Sequence, residues 1–190
     1  MKKIIYITGD PGTGKSTIAL ELAKKIKAGI IDKDRMCDPL THFITKNIGE
    51  EHPKDSEFYE YHLRELEYQA MENIMIENIL TLDYVVMIAP FGKEIKPDSE
   101  YFQNLKYRIK KEHHLDVEID IFVIICSPEE NKRRIIKRNR KDDELKIKNW
   151  DKYSKKRKLG EVKNYHIYTK AEIENNDIHM AVEKILHFYE

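Results

Sequence analysis

The chain has 190 residues, 41% of them hydrophobic and 36% charged, a globular composition with a heavily charged surface and enough length for its own core. Its 34 Lys and Arg balance 34 Asp and Glu, which excludes a protein whose whole surface is a basic nucleic-acid glove. Cys37 and Cys126 are too few and too far apart for a disulfide framework or a Cys-based metal site, and no apolar run reaches membrane-spanning length, so a cytoplasmic protein is expected.

The first predicted strand, Lys3–Thr8, runs straight into GDPGTGKST and then an amphipathic helix, Lys15–Ile26, with Ile18, Ala19, Leu22, Ala23 and Ile26 on one face. Gly9–Ser16 matches the Walker A pattern G-x-x-x-x-G-K-[ST] throughout: Gly9, then Asp10, Pro11, Gly12 and Thr13, then Gly14, Lys15 and Ser16. Glycines at those positions let successive backbone N–H groups turn inward on phosphate oxygens, and the following helix adds its positive end. Lys15 then reaches β and γ phosphates and the Ser16 hydroxyl ligates Mg²⁺, with Thr13 and Thr17 as further contacts or plain helix-start residues.

A second strand, Gly29–Asp32, leads into Asp32-Lys33-Asp34-Arg35 at the carboxyl end of the sheet, where ligands gather in doubly wound folds. If the chain stays extended, Asp32 and Asp34 project to one side. A carboxylate there takes a proton from an acceptor hydroxyl or holds Mg²⁺ through water, and Arg35 pairs with an anionic acceptor. The bland alternative is a helix cap and a surface charge.

A helix over Phe58–Leu80 carries a buried stripe at Tyr68, Met71, Met75 and Ile79. The third strand, Tyr84–Ala89, ends without the acidic residue of a Walker B site, because Asp83 precedes it, and this weakens a motor-ATPase reading. After the helix Tyr101–His113 and the strand Val117–Cys126 comes the helix Pro128–Arg138. From Lys132 to Lys158 the chain holds fourteen Lys or Arg against four Asp or Glu. Arg134 and Arg138 lie four apart on one helical face and Arg140 follows the helix end, so guanidinium groups on a closing segment could stabilise a transferring phosphoryl group. The strand Tyr165–Thr169 and the helix Asp177–Tyr189 complete the order. Strands alternating with helices predict a parallel sheet covered on both faces, in one domain over residues 1–190. His42, His52, His62, His113, His114, His166, His179 and His187 show no metal-ligand spacing, and Trp150 is expected to pack the basic segment down.

Together the Walker A loop, the D-x-D after the second strand and the arginine-bearing segment after the fourth resemble the small P-loop kinases, among them gluconate kinase, chloramphenicol phosphotransferase, the zeta toxins and the kinase domain of polynucleotide kinase. IDKD (Ile31–Asp34), RELEY (Arg64–Tyr68), APF (Ala89–Phe91) and KIKNWDKY (Lys146–Tyr153) are similar to a bacterial group labelled AAA-family ATPase or zeta-toxin-like kinase. The resemblance implies an α/β P-loop NTPase fold, a three-layer sandwich with a five-stranded parallel sheet and a helical lid near residues 139–158. It implies Asp34 as general base, Arg138 as the lid arginine on ATP with Arg134 second, and Arg64 and Glu67 facing the acceptor cleft. Relatives often carry Arg-Asp before the lysine that opens KIKNW; here Asp142-Asp143 stands there, leaving Arg140 as the replacement cation. The zeta toxins' sugar-nucleotide substrate is not carried over, because this chain is shorter.

The leading expectation is phosphoryl transfer from ATP, with Mg²⁺, to a hydroxyl of a small molecule or nucleotide, Lys15, Asp34 and Arg138 carrying the chemistry. Two alternatives stand beside it. One is a 5′-hydroxyl nucleic-acid kinase using the basic run Lys152–Lys158, which predicts steeply salt-dependent affinity. The other is a nucleotide-dependent switch that binds ATP without turnover.

Overall fold

The computed structural model describes residues 2–49, 54, 56–96, 98–140, 143–156, 169–175 and 177–189. Five parallel strands form one sheet in the order β2-β3-β1-β4-β5, with β1 at Lys2–Thr8, β2 at Gly29–Asp32, β3 at Tyr84–Ile88, β4 at Val117–Ile125 and β5 at Thr169–Glu174. The central strand shows why a run without polar alternation is a strand here. Ile4 and Tyr6 enter the core on one face and Ile5 and Ile7 the core on the other, all fully buried, so both faces demand apolar side chains.

Helices α1 (Lys15–Ile26) and α8 (Ile178–Leu186) close one face. Helices α3 (Arg64–Thr81) and α4 (Tyr101–His113) close the other, where Tyr68, Met71, Met75 and Ile79 form the predicted buried stripe. The result is the expected three-layer α/β sandwich. Helix α5 (Pro128–Arg138) starts on a Ser127 cap, whose hydroxyl accepts from the Glu130 N–H, and stops at Asn139 in the left-handed conformation. Two short helices follow it, α6 (Glu144–Lys148) and α7 (Trp150–Lys156). Among them Trp150 packs beside Tyr153 and under the Lys132 ammonium, 5.6 Å from its ring centre, as the packing expectation has it.

Three elements differ from the sequence expectation. Strand β5 occupies Thr169–Glu174 where Tyr165–Thr169 was expected, because Ile173 is the residue that pairs beside Ile124 and enters the core under α8; residues 165–168 lie outside the described set. Helix α2 covers Lys33–Asn47 with Pro39 in its interior, so the chain turns helical directly after Asp32 instead of staying extended. Finally, the helix expected over Phe58–Leu80 begins with a π-helical turn, Tyr59–Leu63, before α3. That wider turn rotates Tyr59 inward. All strands point the same way, so the carboxyl ends of β1, β2, β3 and β4 open on a single edge, and the chain leaves β1 for one side of the sheet and later crosses to the other.

Candidate active site

At that edge lies a cleft of about 600 Å³. Its floor is the loop between β1 and α1. Gly9 has φ 139°, and a Cβ there would sit 2.3 Å from the Ile124 carbonyl oxygen, so only glycine lets the loop leave β1 against β4. Gly12 and Gly14 also have positive φ, and α1 begins immediately after, aiming its free N–H groups at the cleft. The Asp10 carbonyl accepts from both the Lys15 ammonium and the Thr13 hydroxyl, each at 2.9 Å. Lys15 is thus folded over the loop. Burial of its ammonium lowers its pKa to about 8, although Asp34 and Asp10 nearby oppose the shift. Pro11 and Thr17 line the same wall.

Asp32 and Asp34 both line the cleft, but α2 starts between them, so they are not alternate positions of one extended strand. Asp32 is the helix cap: one carboxylate oxygen accepts from the Asp34 and Arg35 N–H groups at 3.1 and 3.4 Å, and the other accepts from the Ser16 hydroxyl at 2.8 Å. A hydroxyl against a carboxylate, both lining the cleft, fits the sparse all-oxygen protein ligation of Mg²⁺. Among the described residues no group of three or more His, Cys, Asp or Glu gathers into a fuller metal cage.

Asp34 carries cations instead. Its Oδ1 accepts from Lys54 at 2.8 Å and lies 3.8 Å from Lys33, and its Oδ2 lies 3.9 Å from Arg140. Burial alone would raise the Asp34 pKa, but the Lys54, Lys33 and Lys15 ammonium groups outweigh it and hold the carboxyl below its usual range. Lys54 also binds Asp38, 2.6 Å away and one turn along α2. Behind this pair the buried Glu67 accepts from Lys33 at 2.5 Å, from the Tyr59 hydroxyl at 2.7 Å and from the Thr41 hydroxyl. Glu67 therefore anchors the wall from inside, and it makes no ion pair with Arg64.

Arg64 does line the cleft. Its Nη2 donates to both Glu94 oxygens at 3.0 and 3.1 Å, and its guanidinium stacks 4.3 Å above the Tyr68 ring. The Tyr68 oxygen accepts from the Phe91 N–H at 3.2 Å, and Phe91 packs edge-on to Tyr68 and Tyr6. The RELEY and APF stretches are thus one assembly that shapes the cleft wall. Arg35 is not part of it: it lines an adjoining, largely apolar cavity of about 350 Å³ with Leu20, Ile30 and Met36, which shares Ser16, Asp32 and Ile88 with the cleft.

Across the cleft, Arg138 donates from Nε and Nη2 to the two Asp143 oxygens at 2.5 and 2.7 Å, and Lys146 lies 3.4 Å from the same buried carboxylate. Asp143 therefore orients Arg138 side-on and leaves Nη1 outside that pair. Asp142 lies outside the described residues, as do residues 157–158 at the end of the basic run. Arg134 has a different setting, with Nε on Glu130, Nη1 on the Thr13 carbonyl and Nη2 on the Asn175 carbonyl. Lys33, Lys54, Glu94, Asn131, Tyr59 and Asn175 were not singled out by sequence. Lys33 stood inside the IDKD stretch, whereas Lys54, Glu94 and Asn175 join the cluster from distant segments with no local pattern to mark them.

The parallel 2-3-1-4-5 sheet with this loop after β1 defines an α/β P-loop nucleotide-binding protein. A family model described as an AAA domain (AAA_18) matches residues 5–158, and the chain belongs to that family. The fold is shared with solved kinases. A sugar kinase from Janibacter sp. superposes with a TM-score of 0.63 at 12% identity, covering 100% of this chain and 95% of that one. Shikimate kinase from Bacteroides thetaiotaomicron does so at 0.57 and 20% identity, covering 98% and 97%. An APS kinase from Mycobacterium tuberculosis, solved with AMPPNP and APS, superposes at 0.55 and 13% identity, covering 99% and 97%. A search of curated proteins returned no match.

Proposed function

We propose that the protein is a P-loop kinase that transfers the γ-phosphoryl group of ATP to a hydroxyl of a small-molecule or nucleotide acceptor. One observation carries the reading: Lys15 on the loop, Asp34 on α2 and Arg138 on α5 border the same cleft. The loop amides and Lys15 hold the β and γ phosphates. Ser16, with Asp32 behind it, is the Mg²⁺ position, and the ion supplies neutralisation of phosphate charge when bound. Asp34 orients the acceptor hydroxyl and takes its proton as the oxygen attacks phosphorus. Its depressed pKa keeps it ionised at neutral pH and limits it to accepting a proton late in the transfer. Arg138, fixed by Asp143, bears on the charge that spreads over the phosphoryl oxygens, and the segment 139–158 closes over the cleft as a lid.

The acceptor belongs on the side of Arg64, Tyr59 and Tyr68, reached past Pro90 and Gly92. The test is radiolabelled ATP with a metabolite pool. Lys15→Ala and Asp34→Asn each abolish transfer, and Asp34→Asn keeps near-normal ATP binding. Loss of ATP binding by a folded Asp34→Asn protein overturns the base assignment.

A further inference from the structure

The phosphate loop is held in shape from outside by three side chains that sequence reading did not connect to it. The Asn131 amide donates to the Pro11 carbonyl at 2.7 Å. Arg134 Nη1 and the Asn175 amide both donate to the Thr13 carbonyl, at 3.1 and 2.8 Å. Arg134 Nη2 in turn grips the Asn175 backbone carbonyl at 3.0 Å, so the two partners of Thr13 are tied to each other. Asn131 and Asn175 are essentially fully buried. A Cβ on Gly14 would lie 2.2 Å from the Asn175 amide nitrogen, which shows how closely this side chain seats on the loop.

The chemistry of the loop explains what such contacts do. A loop that presents its N–H groups to an anion must keep its carbonyl oxygens elsewhere, because an oxygen facing the phosphate would repel it. Pro11 and Thr13 stand among the turns with positive φ, where the peptide planes are free to rotate. Donors on both carbonyls fix those planes. Arg134 has its Nε, Nη1 and Nη2 all engaged on protein oxygens, unlike Arg138, whose pair with Asp143 leaves one Nη out.

We infer that Arg134 and Asn175, acting together on the Thr13 carbonyl, are positioning residues that preorganise the phosphate loop, and that Arg134 serves nucleotide affinity through the loop rather than by touching phosphate. The inference rests on the nucleotide-binding half of the proposed function and needs no acceptor. Its test is calorimetric titration of Mg·ADP into wild type, Arg134→Ala, Asn175→Ala, the double variant and Arg134→Lys, with the melting temperature of each recorded.

Each alanine variant is expected to lose about tenfold in ADP affinity, the scale of a hydrogen bond to a charged or strained group. The double variant is expected to bind no more weakly than the weaker single one, because both act at one carbonyl. Lysine keeps the charge but lacks the planar fork that reaches Glu130, the Thr13 carbonyl and the Asn175 carbonyl from separate nitrogens, so Arg134→Lys is expected to bind ADP as poorly as Arg134→Ala. Wild-type affinity in a folded Asn175→Ala protein, full additivity in the double variant, or restoration by lysine each overturns the inference. If Arg134→Ala fails to fold, the lysine and Asn175→Ala arms still decide it. Failure to find a phosphoryl acceptor would count against the kinase reading and leave this result unaffected.

Discussion

Lys15 shows how one side chain is poised by what surrounds it. Its ammonium rests on a backbone carbonyl with its pKa lowered to about 8 by burial, so the free protein begins to lose that charge just above neutrality. Phosphate oxygens favour the charged form, so nucleotide binding raises this pKa and takes up a proton. ADP affinity is therefore expected to fall as pH rises above about 8, approaching tenfold per unit while the free group is neutral and the bound group charged. Calorimetry at pH 8.5 in buffers of different ionisation enthalpy reads the uptake directly. Asp34 works in the opposite sense. In the proposed role of base, its depressed pKa is expected to place the acid limb of transfer below the ordinary carboxylate value of about 3.9. Replacing Lys54 by Met removes the strongest cation on Asp34 and is expected to move that limb to higher pH in the kcat/KM profile.

At the scale of elements, buried carboxylates join helices that the chain brings from far apart. Glu67 on α3 ties Lys33 on α2 to Tyr59 in the π-helical turn. Its folded pKa is lowered by these donors against the effect of burial, so its stabilisation is present at neutral pH and lost as pH falls through and below about 4.3. Glu67→Ala leaves Lys33 buried without its nearest carboxylate, Asp34 being 3.8 Å away, and an unfolding free-energy loss of about 3 kcal/mol is expected from urea titration. Asp143 ties the end of α5 to the segment that enters α6. Asp143→Ala is expected to lower kcat by about tenfold, and Arg138→Ala/Asp143→Ala to be no slower than Arg138→Ala, because Asp143 acts through that arginine.

For the whole molecule, the cleft joins the ends of strands from both halves of the sheet, so a bound nucleotide links elements far apart in the chain. Mg·ADP at a hundredfold excess over its Kd adds about 2.7 kcal/mol to the folded state, which for a domain of this size raises the melting temperature by roughly 5–10 °C. Thermal melts with and without Mg·ADP check this, and Lys15→Ala is expected to abolish the shift. Among the described residues no helix is long and apolar enough to cross a membrane.

Much of this was legible in the order of the residues alone. The Walker A loop is a contiguous pattern whose backbone geometry its glycines dictate, and the apolar runs of β1, β3 and β4 read as buried parallel strands because both faces must be covered. Local patterns carried those elements because neighbours in sequence share the strand and helix periods. The D-x-D stood between an extended chain and a helix cap, and the structure takes the helix, with Asp32 as its cap and Pro39 in its interior. The tertiary structure decided partners: that Asp32, not Asp34, meets Ser16, that Glu67 turns inward while Arg64 faces the cleft, and that, of the two arginines bordering the cleft, Arg134 grips the loop while Arg138 pairs with Asp143. Those choices depend on residues tens of positions away, such as Lys54, Glu94 and Asn175, and nothing in local spacing announces a contact made across a folded sheet.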